Sequence, residues 1–192
     1  GRLQEAADHN EAALRILAGL VATDGTNSAW QRELANAQVE SARLRLALDE
    51  PAAAATLLEA ALSTLDREAA AGRADRNLRL LEARAHIVGG QLAARRNEPG
   101  LAREHWIEAR EAIASDVPVG ANPNFLSAWA SAQLLLGAPD AARPAIGQLA
   151  AMGYYTPDFA VLLAAANLAH LLPPADQRCT STSAGPAVAG VH

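Results

Sequence analysis

The chain has 192 residues, 48 of them Ala; its formal net charge is −5, and all 16 of its basic residues are Arg. No basic stripe suits a phosphate backbone, which excludes nucleic acid as a direct partner. The single Cys179 excludes an intrachain disulfide framework or a cysteine metal cluster. Ala and Leu dominate, aromatics make up 4%, and β-branched residues are scarce, so the chain is expected to be all-α. No apolar run reaches the roughly 18 residues of a membrane helix; the strongest, Phe159 to Leu172, is broken by Asn167 and His170. No signal peptide, no membrane insertion and a cytoplasmic location are expected. An Arg-only basic complement suits a bacterial genome rich in G and C. The chain opens Gly-Arg-Leu without Met, so an upstream part is expected.

The first apolar stripe is Ala13, Leu14, Leu17, Leu20 and Val21, spaced for a helix. Asp24-Gly25-Thr26-Asn27 supplies stop and turn residues, and Ser28 the expected cap of a second helix. That helix runs from Ala29 to about Leu48, with Trp30, Leu34, Ala37, Leu44 and Leu48 along one side. After Asp49-Glu50-Pro51 a third helix turns Ala54, Leu58, Ala61 and Leu65 inward and stops at Gly72. A fourth spans about Asp75 to Arg96, and its Gly89-Gly90 reads as a close helix crossing. Asn97-Glu98-Pro99-Gly100 leads into a helix from Leu101 to Ala114, with Ala102, Trp106, Ala109 and Ile113 on one face. Asp116-Val117-Pro118 ends it. Helix 124–136, the break Gly137-Ala138-Pro139-Asp140 and helix Ala141 to Met152 follow. Thr156-Pro157-Asp158 starts a last helix, with Thr as cap and Pro at the first helical position, running to about Leu172. The remainder, rich in Ser, Thr, Gly, Pro and Ala, is expected to be a disordered tail. Trp30, Trp106 and Trp129 are expected to anchor the core.

Three breaks, DEP, NEP and APD, place Pro beside an acidic or amide residue, and they set a common register. Ala54, Ala102 and Ala142 share one position, Leu58, Trp106 and Ile146 a second, Ala61, Ala109 and Leu149 a third. Ala13, Leu17 and Leu20 fit the same frame. Such units cannot bury their stripes alone and are expected to stack. The reading is a partial first repeat over 1–27, repeats at 28–72, 73–115 and 121–153, a capping helix at 156–172 and the tail at 173–192.

The pattern Ala54, Leu58, Ala61, its recurrence at Ala102, Trp106, Ala109, the Asp24-Gly25-Thr26-Asn27 turn and Trp30 with Leu34-Ala35 resemble tetratricopeptide repeats. The family's closing Pro is Gly25 here, its first-helix Gly is Ala35 and its first-helix Tyr is Gln38. The resemblance implies a right-handed superhelical stack of antiparallel helix hairpins, an α-solenoid, with a C-terminal cap. ATDGTNSAWQRELANAQ and LLLGAPDAARPAIGQLAAMGYYTPDF further resemble the C-terminal repeats of large bacterial signalling proteins that carry a serine/threonine kinase or another regulatory domain. No Gly-rich loop, Lys or His-Arg-Asp loop of a kinase occurs in this chain.

The first helices of such hairpins line a groove. With Trp30, Leu34 and Leu44 inward, Arg32, Asn36, Glu40 and Arg43 turn to that groove or its rim, and Arg84 and Gln91 take similar places in the next unit. Forked donors of this kind hold carboxylates and peptide backbone. The expected function is a non-catalytic protein-interaction scaffold whose partner is a protein or acidic peptide, with no cofactor, no resident metal and no catalytic residue. Two other readings stand beside it. One is a helical metal-dependent enzyme in which His105 and Glu108, three apart on one helix face, are joined by Glu82 and His86 from the preceding helix. The other is self-association through the open N-terminal end.

Overall fold

A computed structural model describes residues 2–117, 122–172 and 179–180. Eight α-helices follow one another in the described residues: α1 Arg2–Thr23, α2 Ser28–Ala47, α3 Pro51–Ala70, α4 Arg76–Arg95, α5 Pro99–Ile113, α6 Pro123–Leu135, α7 Pro139–Ala151 and α8 Pro157–Ala165. A single 3₁₀ turn, Ala169–Leu171, comes after α8. Neighbouring helices pack in chain order within two compact units, Gly1–Val119 and Gly120–His192.

One turn is used three times. Asp49, Asn97 and Gly137 each take a left-handed conformation, with φ 62°, 59° and 74°. The next residues, Glu50, Glu98 and Ala138, have φ/ψ of −113/63°, −109/67° and −113/63°. Pro51, Pro99 and Pro139 then open the following helix. The amides of Glu50, Glu98 and Ala138 donate to the carbonyls of Arg45, Ala93 and Gln133, at 2.8, 3.0 and 2.9 Å, and those of Asp49, Asn97 and Gly137 to Leu46, Ala94 and Leu134. This is the paired bonding of a Schellman ending, with Pro placed where no amide donor is needed. The hairpins α2–α3, α4–α5 and α6–α7 therefore turn by the same backbone geometry. Gly72 (φ 72°) ends α3 in the same way, and Asp75 caps α4 by accepting from the Leu78 amide at 2.8 Å.

In the first unit, Ala35, Val39, Ala42 and Leu46 of α2 meet Ala54, Leu58, Ala61 and Leu65 of α3 and a Leu/Val stripe of α4. The α3 stripe is buried as its spacing predicts. The α2 stripe differs: Ala37 and Leu44 are buried, but Trp30, Leu34 and Leu48 are only half-buried, and the tight seam is Ala35-Val39-Ala42-Leu46. α2 packs against α1, α3 and α4 at once, so a one-sided reading picks its bulky residues and misses the small ones that let neighbours approach. The tie to α1 is partly polar. Asn10 Nδ2 donates to the Ala37 carbonyl at 2.9 Å and to Ser41 Oγ at 2.5 Å. The cap of α2 is Asn27 rather than Ser28; its Oδ1 accepts from the Trp30 amide at 3.1 Å.

α5 lies on α4 through Ala102, Ala109 and Ile113. Gly89 and Gly90 make that approach possible. A Cβ on Gly89 would stand 3.2 Å from the His105 ring, and one on Gly90 would fall inside the Trp106 indole. The close-crossing expectation for this pair holds. Trp106 is half-buried, as are Trp30 and Trp129, so none of the three is a fully enclosed anchor.

The second unit buries Phe125, Leu126 and Ala130 of α6, Ala142, Ile146 and Leu149 of α7, and Phe159 and Leu163 of α8. The cap of α8 is Thr156, as expected, accepting from the Phe159 amide at 3.3 Å. α8 ends at Ala165, well short of Leu172, because Asn167 turns left-handed (φ 57°) and Leu168 bonds back to the Leu163 carbonyl at 2.7 Å. Of the expected disordered tail, Cys179–Thr180 pair in parallel with Tyr154–Tyr155 as a two-residue bridge; 173–178 and 181–192 lie outside the described residues.

Candidate functional site

Two side-chain clusters of the first unit contain most of the residues singled out from the sequence. The first lies on the α2/α4 face. Arg84 Nη1 donates to Asn36 Oδ1 at 3.1 Å, Arg84 Nη2 also donates to Glu40, and Arg43 Nε donates to Glu40 Oε2 at 3.0 Å. Four of the six expected groove residues thus form one network. Helical spacing explains it: Asn36, Glu40 and Arg43 fall on successive turns of α2. Gln91, two turns beyond Arg84 on α4, is half-buried and outside that network.

Arg32 belongs elsewhere. It donates to Glu68 Oε2 at 3.2 Å, to Asp75, and to the Arg73 carbonyl at 2.5 Å. Its guanidinium fastens the α3–α4 turn to α2. Glu68 has no solvent exposure and also accepts from Arg73 at 2.7 and 3.0 Å. Arg73 foremost, then Arg32, hold the Glu68 carboxyl below its ordinary range against the opposing effect of burial. A groove of about 430 Å³ runs along this face, rimmed by Arg32, Glu33, Asn36, Asn77 and Arg84.

The second cluster lies where α4 and α5 cross. His86 Nδ1 stands 3.0 Å from His105 Nδ1 and 2.9 Å from Glu108 Oε2, and His105 Nδ1 is 3.6 Å from the same oxygen. The two rings are tilted 39°, with centroids 5.3 Å apart. Both imidazoles are about four-fifths covered, whereas Glu108 is half exposed. Burial, with a smaller effect from His105, pushes the His86 imidazole below its usual range; Glu108 and Asp66 oppose this. Glu82, one turn before His86, lies outside this set of converging atoms. Its carboxyl is raised, by burial first and then by Asp66.

No protein-family model, curated protein or solved structure matches this chain.

A second groove, about 580 Å³, is floored by Leu58, Leu62 and Leu92, edged by Asp66 and Arg96, and reaches His105. Sequence reading passed over this groove because its wall is shared by three helices. It also passed over Glu68 and Asp116. Asp116 takes a forked pair from Arg79, at 2.8 and 2.9 Å, and Arg79 holds its carboxyl below the ordinary range. Both acids lie beside turns and look like ordinary surface residues in one dimension; their Arg partners at 32 and 79 are distant in sequence.

Proposed function

We propose that this chain is a non-catalytic protein-interaction scaffold of the tetratricopeptide kind, in which repeated helix hairpins stack as a right-handed superhelix closed by α8. The carrying observation is the single turn geometry shared by Asp49-Glu50-Pro51, Asn97-Glu98-Pro99 and Gly137-Ala138-Pro139. The equivalent Ala54, Ala102 and Ala142 are at most 1% exposed, which supports one recurring packing rule. Repeats of this type present side chains of their first helices to partners.

The partner in this reading is an extended acidic segment of another protein, held in the α2/α4 groove. Asn36 and Arg84 supply its donors, an amide and a planar fork suited to backbone carbonyls and carboxylates. Glu40 already neutralises part of the charge of Arg84 and Arg43. Recognition therefore rests on directed hydrogen bonds more than on a positive field. The further assignment, to the C-terminal part of a larger bacterial signalling or regulatory protein, rests on the sequence resemblance.

The test is binding of the full chain to an array of extended acidic peptides. Asn36→Ala, Arg43→Ala and Arg84→Ala are combined in one variant, with Arg32 kept because it secures the α3–α4 turn. Loss of two or three forked or charge-assisted bonds is expected to weaken capture by roughly 10- to 100-fold. Equal capture by a variant with unchanged helical circular dichroism rejects this face.

A further inference from the structure

We propose that His86, His105 and Glu108 form a binding site for a zinc ion at the crossing of α4 and α5. The inference is independent of the scaffold reading. Its first ground is the donor set. Two imidazole nitrogens and one carboxylate oxygen are ligands that zinc accepts, and three protein ligands leave a fourth tetrahedral position open.

The second ground is spacing. Around a tetrahedral ion with bonds of about 2.0–2.1 Å, neighbouring ligand atoms sit about 3.3 Å apart. The three separations here are 2.9, 3.0 and 3.6 Å. The donors are close to a coordination triangle without movement of either helix backbone.

The third ground is protonation. Two Nδ1 atoms at 3.0 Å cannot both carry a proton, so at least one presents a lone pair to the shared space.

The fourth ground is construction. Gly89 leaves the room in which the His105 ring sits, since a Cβ there would press on that ring. Glycine is a poor helix former, and here the missing side chain sets where an imidazole stands. A bound ion would link α4 to α5 and present its open position beside the groove that His105 lines.

Calorimetric titration of the metal-free full chain with zinc is expected to show one equivalent bound, and cobalt in its place the strong visible absorption of a tetrahedral site. Altering groups that merely support metal ligands lowers affinity about 10- to 100-fold. Removing a ligand outright is therefore expected to cost about 100-fold or more for His86→Ala and for His105→Ala. Glu108→Gln serves as the second variant, because its exposed side chain can be changed without disturbing the fold; at least tenfold weaker binding is expected. A His9→Ala, His170→Ala double variant should bind as the unaltered chain does. Absence of one-equivalent binding, or affinity unchanged in Glu108→Gln and in a folded histidine variant, overturns the proposal.

Discussion

Glu68 is a carboxylate in the last turn of α3 without any exposure to water, held by Arg32 and Arg73. A buried ion pair adds little over an apolar filling, but removing one partner strands the others. Arg73 is half exposed and Arg32 partly so, which lets both recover some hydration. Glu68→Gln is therefore expected to lower unfolding free energy by about 2–3 kcal/mol in urea titration. The same residue gives a pH dependence of known sign. The folded carboxyl is held below its ordinary value, so its stabilisation is complete above about pH 4.3 and disappears as pH falls through the lower folded value. In Glu68→Gln that part of the acid limb should flatten; an identical acid limb in both proteins contradicts the assignment.

At the scale of the helix, the two kinds of interior glycine behave oppositely. Gly19 of α1 has open space where a Cβ would be, whereas Gly90 of α4 faces the Trp106 indole. Gly19→Ala is expected to stabilise by about 0.5–1 kcal/mol through helix propensity. Gly90→Ala should instead destabilise by about 1–3 kcal/mol, because α5 must move away or Trp106 must leave its rotamer. Thermal and urea unfolding of both variants would check this. A gain at both positions would mean that α4 and α5 do not cross closely. The Trp106 Nε1 atom is buried without a hydrogen-bond partner, a sign that this crossing puts packing ahead of polar satisfaction.

At the scale of the molecule, the first unit contains α1 to α5, and its core cluster is drawn entirely from α2, α3 and α4. Asp116, in the turn after α5, is bound back to Arg79 near the start of α4. A segment with its own core and a closed polar end is expected to fold without the remainder. A fragment of residues 1–119 should show helical circular dichroism and a cooperative urea transition. Gradual loss of signal from zero denaturant would count against it. No helix among the described residues is long and apolar enough to cross a membrane.

Helix content, the positions of the three Pro-led turns and the inward stripes of α3, α5 and α7 are all readable from the chain. They rest on local rules: the 3.6-residue period, the left-handed ending and the fixed φ of proline. The sequence also singled out His86, His105 and Glu108 and most of the α2/α4 polar face, because partners three or four residues apart share a helix side. Tertiary packing alone decided the rest. It turned Arg32 away from the groove network to Glu68 and Asp75, left Glu82 apart from the histidines and chose Ala over Trp for the tight seams. Each of these depends on which helix lies opposite, across dozens of residues of chain, and no periodicity within a single helix encodes its neighbour.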